Sequence, residues 1–250
     1  QQGADVLRLF ISGRSYDHYC SIHSSVATLL FTHLAQQYAE GSLGEINDRQ
    51  VEALLLHAAR DCQPDACISL LCTAAARQQF QLSSEAAAAI LREAARHGSS
   101  ALVLHLVEGY GFNCLWELLA SGGHIKKQVV RAVVLHVAQK ATAGAMQLDS
   151  RMLALLVYQA AKHHDQEACA AILAVAEQQQ VQLIAEDSRM ALQACMHAGC
   201  PAELVSLLLR AGAALDRSHL SSLANRAAST DLDTVLELLL EAGAVISTAL

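Results

Sequence analysis

Two short stretches hold residue types that bind metals. The segment "CMHAGC" offers Cys195, His197 and Cys200, and "HYCSIH" offers His18, Cys20 and His23. A structural zinc site needs four ligands that converge tetrahedrally, typically from paired Cys-x2-4-Cys elements. Cys195 falls at a small-residue core position of a predicted helix while His197, two residues on, faces another way, so the set does not converge. Cys62, Cys67 and Cys72 recur every five residues, a spacing that leaves one helical face and crosses a break at Pro64. A nucleophilic Cys or Ser needs a base within hydrogen-bond reach and a third group to orient it. None of the 12 histidines sits in a glycine-framed nucleophile turn, and there is no phosphate-cradling glycine loop or paired-carboxylate cluster. The sequence therefore predicts no enzyme, no metal and no cofactor.

What does recur is a basic residue behind a pair of small ones. "LLLHAARDC", "AILREAARHG", "LVYQAAKHH" and "ALQACMHAG" repeat one pattern, with the small pair beginning at Ala58, Ala94, Ala160 and Cys195. The middle gap is nearly twice the others and has room for one further, irregular unit. The residue after each pair is Arg60, Arg96, Lys162 or His197. In a stack, equivalent helical positions lie about 10 Å apart, so these form a ladder of positive groups, with His57, Glu93, His97, Gln159 and His163 sharing the surface. The expected chemistry is non-covalent: a partner-binding face for an acidic peptide or an acidic protein surface.

The elements that would carry this ladder are helices. The chain has 250 residues, 53% of them hydrophobic, with 2 Pro and 13 Gly. Ala, Leu and Gln fill the periodic stretches, and they lose little side-chain freedom in a helix. Asn47-Asp48, Ser83-Ser84, Ser99-Ser100, Asp149-Ser150, Asp187-Ser188 and Thr230-Asp231 can cap helix starts. Pro201 suits a first turn, and Gly98, Gly199, Gly212 and Gly243 suit helix ends. "LVSLLLRAGA" and "TVLELLLEAGA" mark two second helices. These features predict an all-α fold, an α-solenoid of antiparallel helix pairs, with an N-terminal helical cap over 1–44 and a repeat array over 45–250 whose irregular unit spans 114–146.

The apolar runs fall short of the roughly 20 residues a membrane-crossing helix needs. The 8 cysteines are scattered through apolar stretches, which predicts reduced, buried thiols and an intracellular, reducing compartment. The start "QQGADVLRLF" has no initiator Met and no signal-peptide core, as expected of a processed form or a piece of a longer chain. The formal charge of −7 makes nucleic acid an unlikely partner unless a local basic strip supplies the attraction.

Asp187 to Asp216, "DSRMALQACMHAGCPAELVSLLLRAGAALD", resembles an ankyrin repeat. Leu192, Cys195, Met196 and Gly199 take inner-helix positions of that family's motif, and "LLLRAGA" matches its close. The resemblance covers roughly Ile46 to Ile246 and implies degenerate ankyrin-like repeats in a protein-binding scaffold or structural subunit. "SSEAAAAILREAARHGSSALVLHLVEGYGFN" is also similar to the pentatricopeptide repeat, which implies the alternative, an organellar RNA-binding helical-repeat protein.

Overall fold

The structure, a computed structural model, describes residues 82–110, 113–120, 124–196, 201–211, 217–229 and 233–244, with isolated positions between 33 and 68. Among these residues every regular element is an α-helix and there is no strand. In chain order they are α1 (Ser84–His97), α2 (Ser100–Tyr110), α3 (Asn113–Ala120), α4 (Lys127–Thr142), α5 (Ser150–Lys162), α6 (Gln166–Gln178), α7 (Ala185–Cys195), α8 (Ala202–Ala211), α9 (Arg217–Ser229) and α10 (Asp233–Glu241). The chain forms two compact units, Gln1–Val129 and Val130–Leu250, whose boundary falls in the first turn of α4. The expected cap over 1–44, apart from His33, lies outside the described residues.

The second unit is an α-solenoid of helix pairs. Helix α5 pairs with α6, α7 with α8 and α9 with α10; the first helices α5, α7 and α9 lie side by side, as do the second helices α6, α8 and α10. Each pair thus contributes one helix to each of two layers. Small residues make the first layer possible: Ala160, Cys195, Ala224 and Ala227 are fully buried and let neighbouring backbones approach. Leu156, Ile172, Leu192, Val205, Leu208 and Leu239 fill the space between the layers.

Helix α4 extends the second layer. Arg131 near its start meets Asp165 and Glu167 at the start of α6, and the Ala141 carbonyl near its end accepts from Gln179 at the end of α6, so α4 and α6 run parallel. The stretch expected to be irregular thus holds a short helix, α3, of 8 residues and a long one, α4, of 16.

In the first unit, α1 packs against α2 and α3. It buries Ala87, Ile90, Leu91, Ala94 and Ala95 along one stripe. Upstream, Val51, Leu55 and Ala59 are buried at four-residue spacing, the signature of one helical face. Ser83 caps α1, its Oγ accepting from the Ala86 N–H at 3.2 Å, and Gly98 ends it at φ +89°. A side chain at Gly98 would be strained and would also meet Gln128.

Several caps sit where the sequence predicts them. Asp149 Oδ1 accepts from the Met152 N–H at 2.7 Å, and Gly243 ends α10 at φ +100°. Asp187-Ser188 is a correction. Helix α7 starts at Ala185, behind an extended Ile184 that supplies no side-chain cap. Ser188 is already inside the helix and buried, because starting two residues earlier turns Ala191, Leu192 and Cys195 onto the core. The caps expected at Asn47-Asp48 and Thr230-Asp231, and Gly199 and Gly212, lie outside the described residues.

Two polar side chains hold the seam between α4 and α6. Asp165 caps α6, its Oδ1 accepting from the Ala168 N–H at 3.0 Å, while Oδ2 lies 3.7 Å from Arg131 Nη1. Gln179 clasps the other end: its Oε1 accepts from the Leu148 N–H at 2.8 Å, and its Nε2 donates to the carbonyls of Ala141 (3.2 Å) and Met146 (3.1 Å). Replacing Gln179 with Ala leaves three part-buried backbone groups without this partner. We expect Gln179→Ala to cost about 1–3 kcal/mol in urea unfolding, and Gln178→Ala, one residue earlier and exposed, to stay within about 0.5 kcal/mol.

Candidate functional site: two layers of opposite charge

The expected ladder is only partly present. Arg60, His57 and His197 lie outside the described residues. Arg96 is exposed on the last turn of α1 in the first unit, and Lys162 is the exposed last residue of α5 in the second. The equivalent position of α9 holds Ser229, so the basic row does not continue through the array. His97 is exposed and its Nε2 lies 3.5 Å from Glu93 Oε2, one turn back. His163 is half-buried in the turn between α5 and α6.

Gln159 is a correction. It was expected on the surface, and it is 1% exposed. Helix α5 is covered by α6 on one side and α7 on another, which widens its buried arc to Leu153, Leu156, Val157, Gln159, Ala160 and Ala161. The equivalent residue of α7 is Ala194, also buried.

The sequence reading missed the sign of each layer. In the first layer of the second unit, α5 carries Arg151 and Lys162, α9 carries Arg217 and Arg226, and neither helix holds an acid. All four cations are exposed. In that layer α7 mixes signs: Arg189 is bound to Glu186, with Nε donating at 2.8 Å, and Asp187 leaves the helix with one more acid than base. Hydrogen bonding to Arg189 holds the Glu186 carboxyl below the usual range. In the second layer, α6 holds Glu167 and Glu177, α10 holds Asp233, Glu237 and Glu241, and neither holds a base. Helix α8, between them, carries one of each sign, Glu203 and Arg210, so the segregation lies in α5 and α9 against α6 and α10.

The middle of the first layer's outward face is a row of planar polar side chains. Two residues before the buried small positions Ala160, Cys195 and Ala227 stand Tyr158, Gln193 and Asn225. Tyr158 and Gln193 are half-buried and Asn225 is exposed. The row presents one aromatic and two amide groups, one per helix pair, flanked by the cations above.

Among the described residues no group of three or more His, Cys, Asp or Glu is placed to hold a metal, and no helix is long and apolar enough to cross a membrane. Cys169 and Cys195 are free and buried. Burial first, and the nearby Asp165 charge second, push the Cys169 thiol up to about 12.

Comparison with known proteins gives no family. No family model matches the chain, and no curated protein matches it. Two solved structures are similar, both of the pentatricopeptide repeat protein PPR10 in complex with an 18-nt psaJ RNA element, one a cysteine-to-serine variant. Each is 16% identical at a TM-score of 0.33 and covers 96% of this chain. The chain spans 40% of the length of those chains. The expectation of a protein partner, with nucleic acid unlikely, is corrected here, since both similar structures are RNA complexes. The net charge of −7 is a property of the whole chain, whereas α5 and α9 carry Arg and Lys and no acid.

Two outcomes check this geometry. Gln159→Glu places a carboxylate in the core and should destabilise the fold by at least about 2 kcal/mol, whereas Lys162→Glu, three residues on and exposed, should stay within about 0.5 kcal/mol; urea melts decide between them. A thiol held near 12 is almost wholly protonated at pH 8, so native Cys169 should react with a thiol reagent far more slowly than the unfolded chain. Because the folded value lies above the ordinary 9.0, this group's stabilising contribution is complete below pH 9 and declines as pH rises from 9 toward 12.

Proposed function

We propose that this chain is a non-catalytic helical-repeat protein that binds single-stranded RNA along the first layer of its helix pairs. The observation that carries this reading is the charge segregation of the second unit, with Arg151, Lys162, Arg217 and Arg226 on α5 and α9 and the acids on α6 and α10. A surface that follows a nucleic-acid strand needs spaced cations to replace counterions. It also needs flat or hydrogen-bonding groups that meet unstacked bases.

Tyr158, Gln193 and Asn225 supply such groups. The Tyr158 ring offers a stacking face, and the amides of Gln193 and Asn225 each offer a donor and an acceptor to a base edge. The acidic second layer repels the same strand, so the fold itself selects which side is used. The ankyrin-like sequence of Asp187 to Asp216 fits within this reading as a repeat unit, α7 with α8, whose helix begins earlier than that motif implies.

Fluorescence anisotropy with a labelled uridine-rich RNA of about 20 nucleotides tests the reading. Binding should weaken steeply with salt, each cation–phosphate contact contributing about 0.7 to the log–log slope for a single strand. The triple variant Arg151→Glu, Lys162→Glu, Arg217→Glu should lower affinity at least about tenfold and flatten that slope by about 2, with circular dichroism unchanged. Absence of binding by the unaltered chain at low salt, or equal binding by the variant, would sink the proposal.

A further inference from the structure

The first unit carries a basic surface that shares Arg96 and His97 with the expected ladder and extends to residues that neither the ladder nor the first-layer row includes. Arg92, Arg96 and His97 are exposed on the last two turns of α1, and His124, Lys126 and Lys127 are exposed at and just before the start of α4. About thirty residues separate the two groups in sequence, and three contacts bring them together. The Lys126 N–H donates to the Ala95 carbonyl at 3.1 Å, Gln128 Nε2 donates to the Gly98 carbonyl at 2.9 Å, and the Lys126 stem passes beside Gly98. Gly98 permits this crossing, because a side chain there would meet Gln128.

The charges in this region are lopsided. Glu93, beside His97, is the one acid among residues 86–107 and 124–140. On α4 the next cation, Arg131, is committed to Asp165 and Glu167. Within these two stretches four permanent cations and two histidines are exposed near one carboxylate, with Glu85 and Glu108 just beyond the first stretch, on a chain whose net charge is −7.

Like charges gathered this closely repel one another, and a solvated surface gains nothing from the arrangement. A partner that carries a regular series of negative charges removes the repulsion and releases counterions on binding. A phosphodiester strand fits, because Lys and Arg placed several ångströms apart can each meet a separate phosphate while reading no base.

We infer that Arg92, Arg96, His97, His124, Lys126 and Lys127 form a second, sequence-independent contact surface for the phosphate backbone of RNA. This inference rests on the RNA-binding reading for the identity of the polyanion. Its residues are separate from those of the first-layer row.

The test compares two double variants of the full chain that lower its charge equally. Lys126→Gln with Lys127→Gln removes two cations from the surface, and Gln178→Glu with Gln182→Glu adds two anions at exposed positions elsewhere. Binding of the same uridine-rich RNA of about 20 nucleotides is followed by anisotropy across a salt series. The lysine variant should lose at least about fivefold in affinity at low salt and flatten the salt slope by about 1.4, as two lost phosphate contacts require. The glutamate variant should change affinity less than about twofold and keep the slope.

Equal effects of the two variants, or no change in slope for the lysine variant, would overturn the second surface while leaving RNA binding in place. Absence of RNA binding by the unaltered chain would remove both readings. An inorganic tripolyphosphate arm separates a strand from a small anion: competition no greater than that of a salt of equal ionic strength supports the strand, and strong competition confined to the unaltered lysines overturns it.

Discussion

The whole arrangement depends on how closely the first helices can approach one another. Ala160, Cys195 and Ala227 are each fully buried at equivalent positions of α5, α7 and α9. A larger side chain at any of them would push the neighbouring helices apart and open the space that Leu156, Leu192 and Leu223 now fill. Close approach also fixes which positions remain outside. In α5 and α7 the residue two before the small one, Tyr158 or Gln193, is only half-buried and the residue just before it, Gln159 or Ala194, is covered, whereas in α9 the residue just before, Arg226, is exposed.

Because the interior is apolar and small, charge can appear only on the two outward faces. Within one layer, neighbouring helices lie about 10 Å apart, comparable with the screening length of about 8 Å at physiological salt. Cations on α5 and α9, with α7 between them, lie about two such spacings apart and are therefore largely screened from one another, as are the acids of α6 and α10 from the first face. Net charge is a poor guide to such a protein, since a partner meets one layer at a time.

Much of the architecture was legible in the sequence. The Ala-Ala-basic pattern located α1, α5 and α7, Ser83 and Asp149 announced their helices, and Gly98 and Gly243 announced helix ends. Less visible were elements whose role depends on a distant neighbour. Asp165 reads as an ordinary turn residue until Arg131 is beside it, and Gln179 sits in a run of three glutamines of which it alone reaches Leu148, Ala141 and Met146. Helix α3 has 8 residues, too few for two turns of periodic signal on each side of a small pair, so its unit read as irregular. One residue of the expected surface was misplaced for a related reason: Gln159 reads as a solvent-facing polar residue until α6 and α7 cover it.

The two clasps across the α4–α6 seam bear on function as well as on stability. Arg131 and Arg189 are two cations that carboxylates hold in place, Asp165 and Glu167 in one case and Glu186 in the other. Such pairs satisfy a buried or part-buried group and leave little net field outside. Arg151, Lys162 and Arg217, by contrast, stand on long exposed side chains with their charge in water, where an ion pair would contribute little to stability. A fold under selection for stability alone gains nothing by keeping acids off α5 and α9 while placing five on α6 and α10. Segregation of this kind costs some self-repulsion within each layer, which solvent and counterions reduce because the charges are exposed.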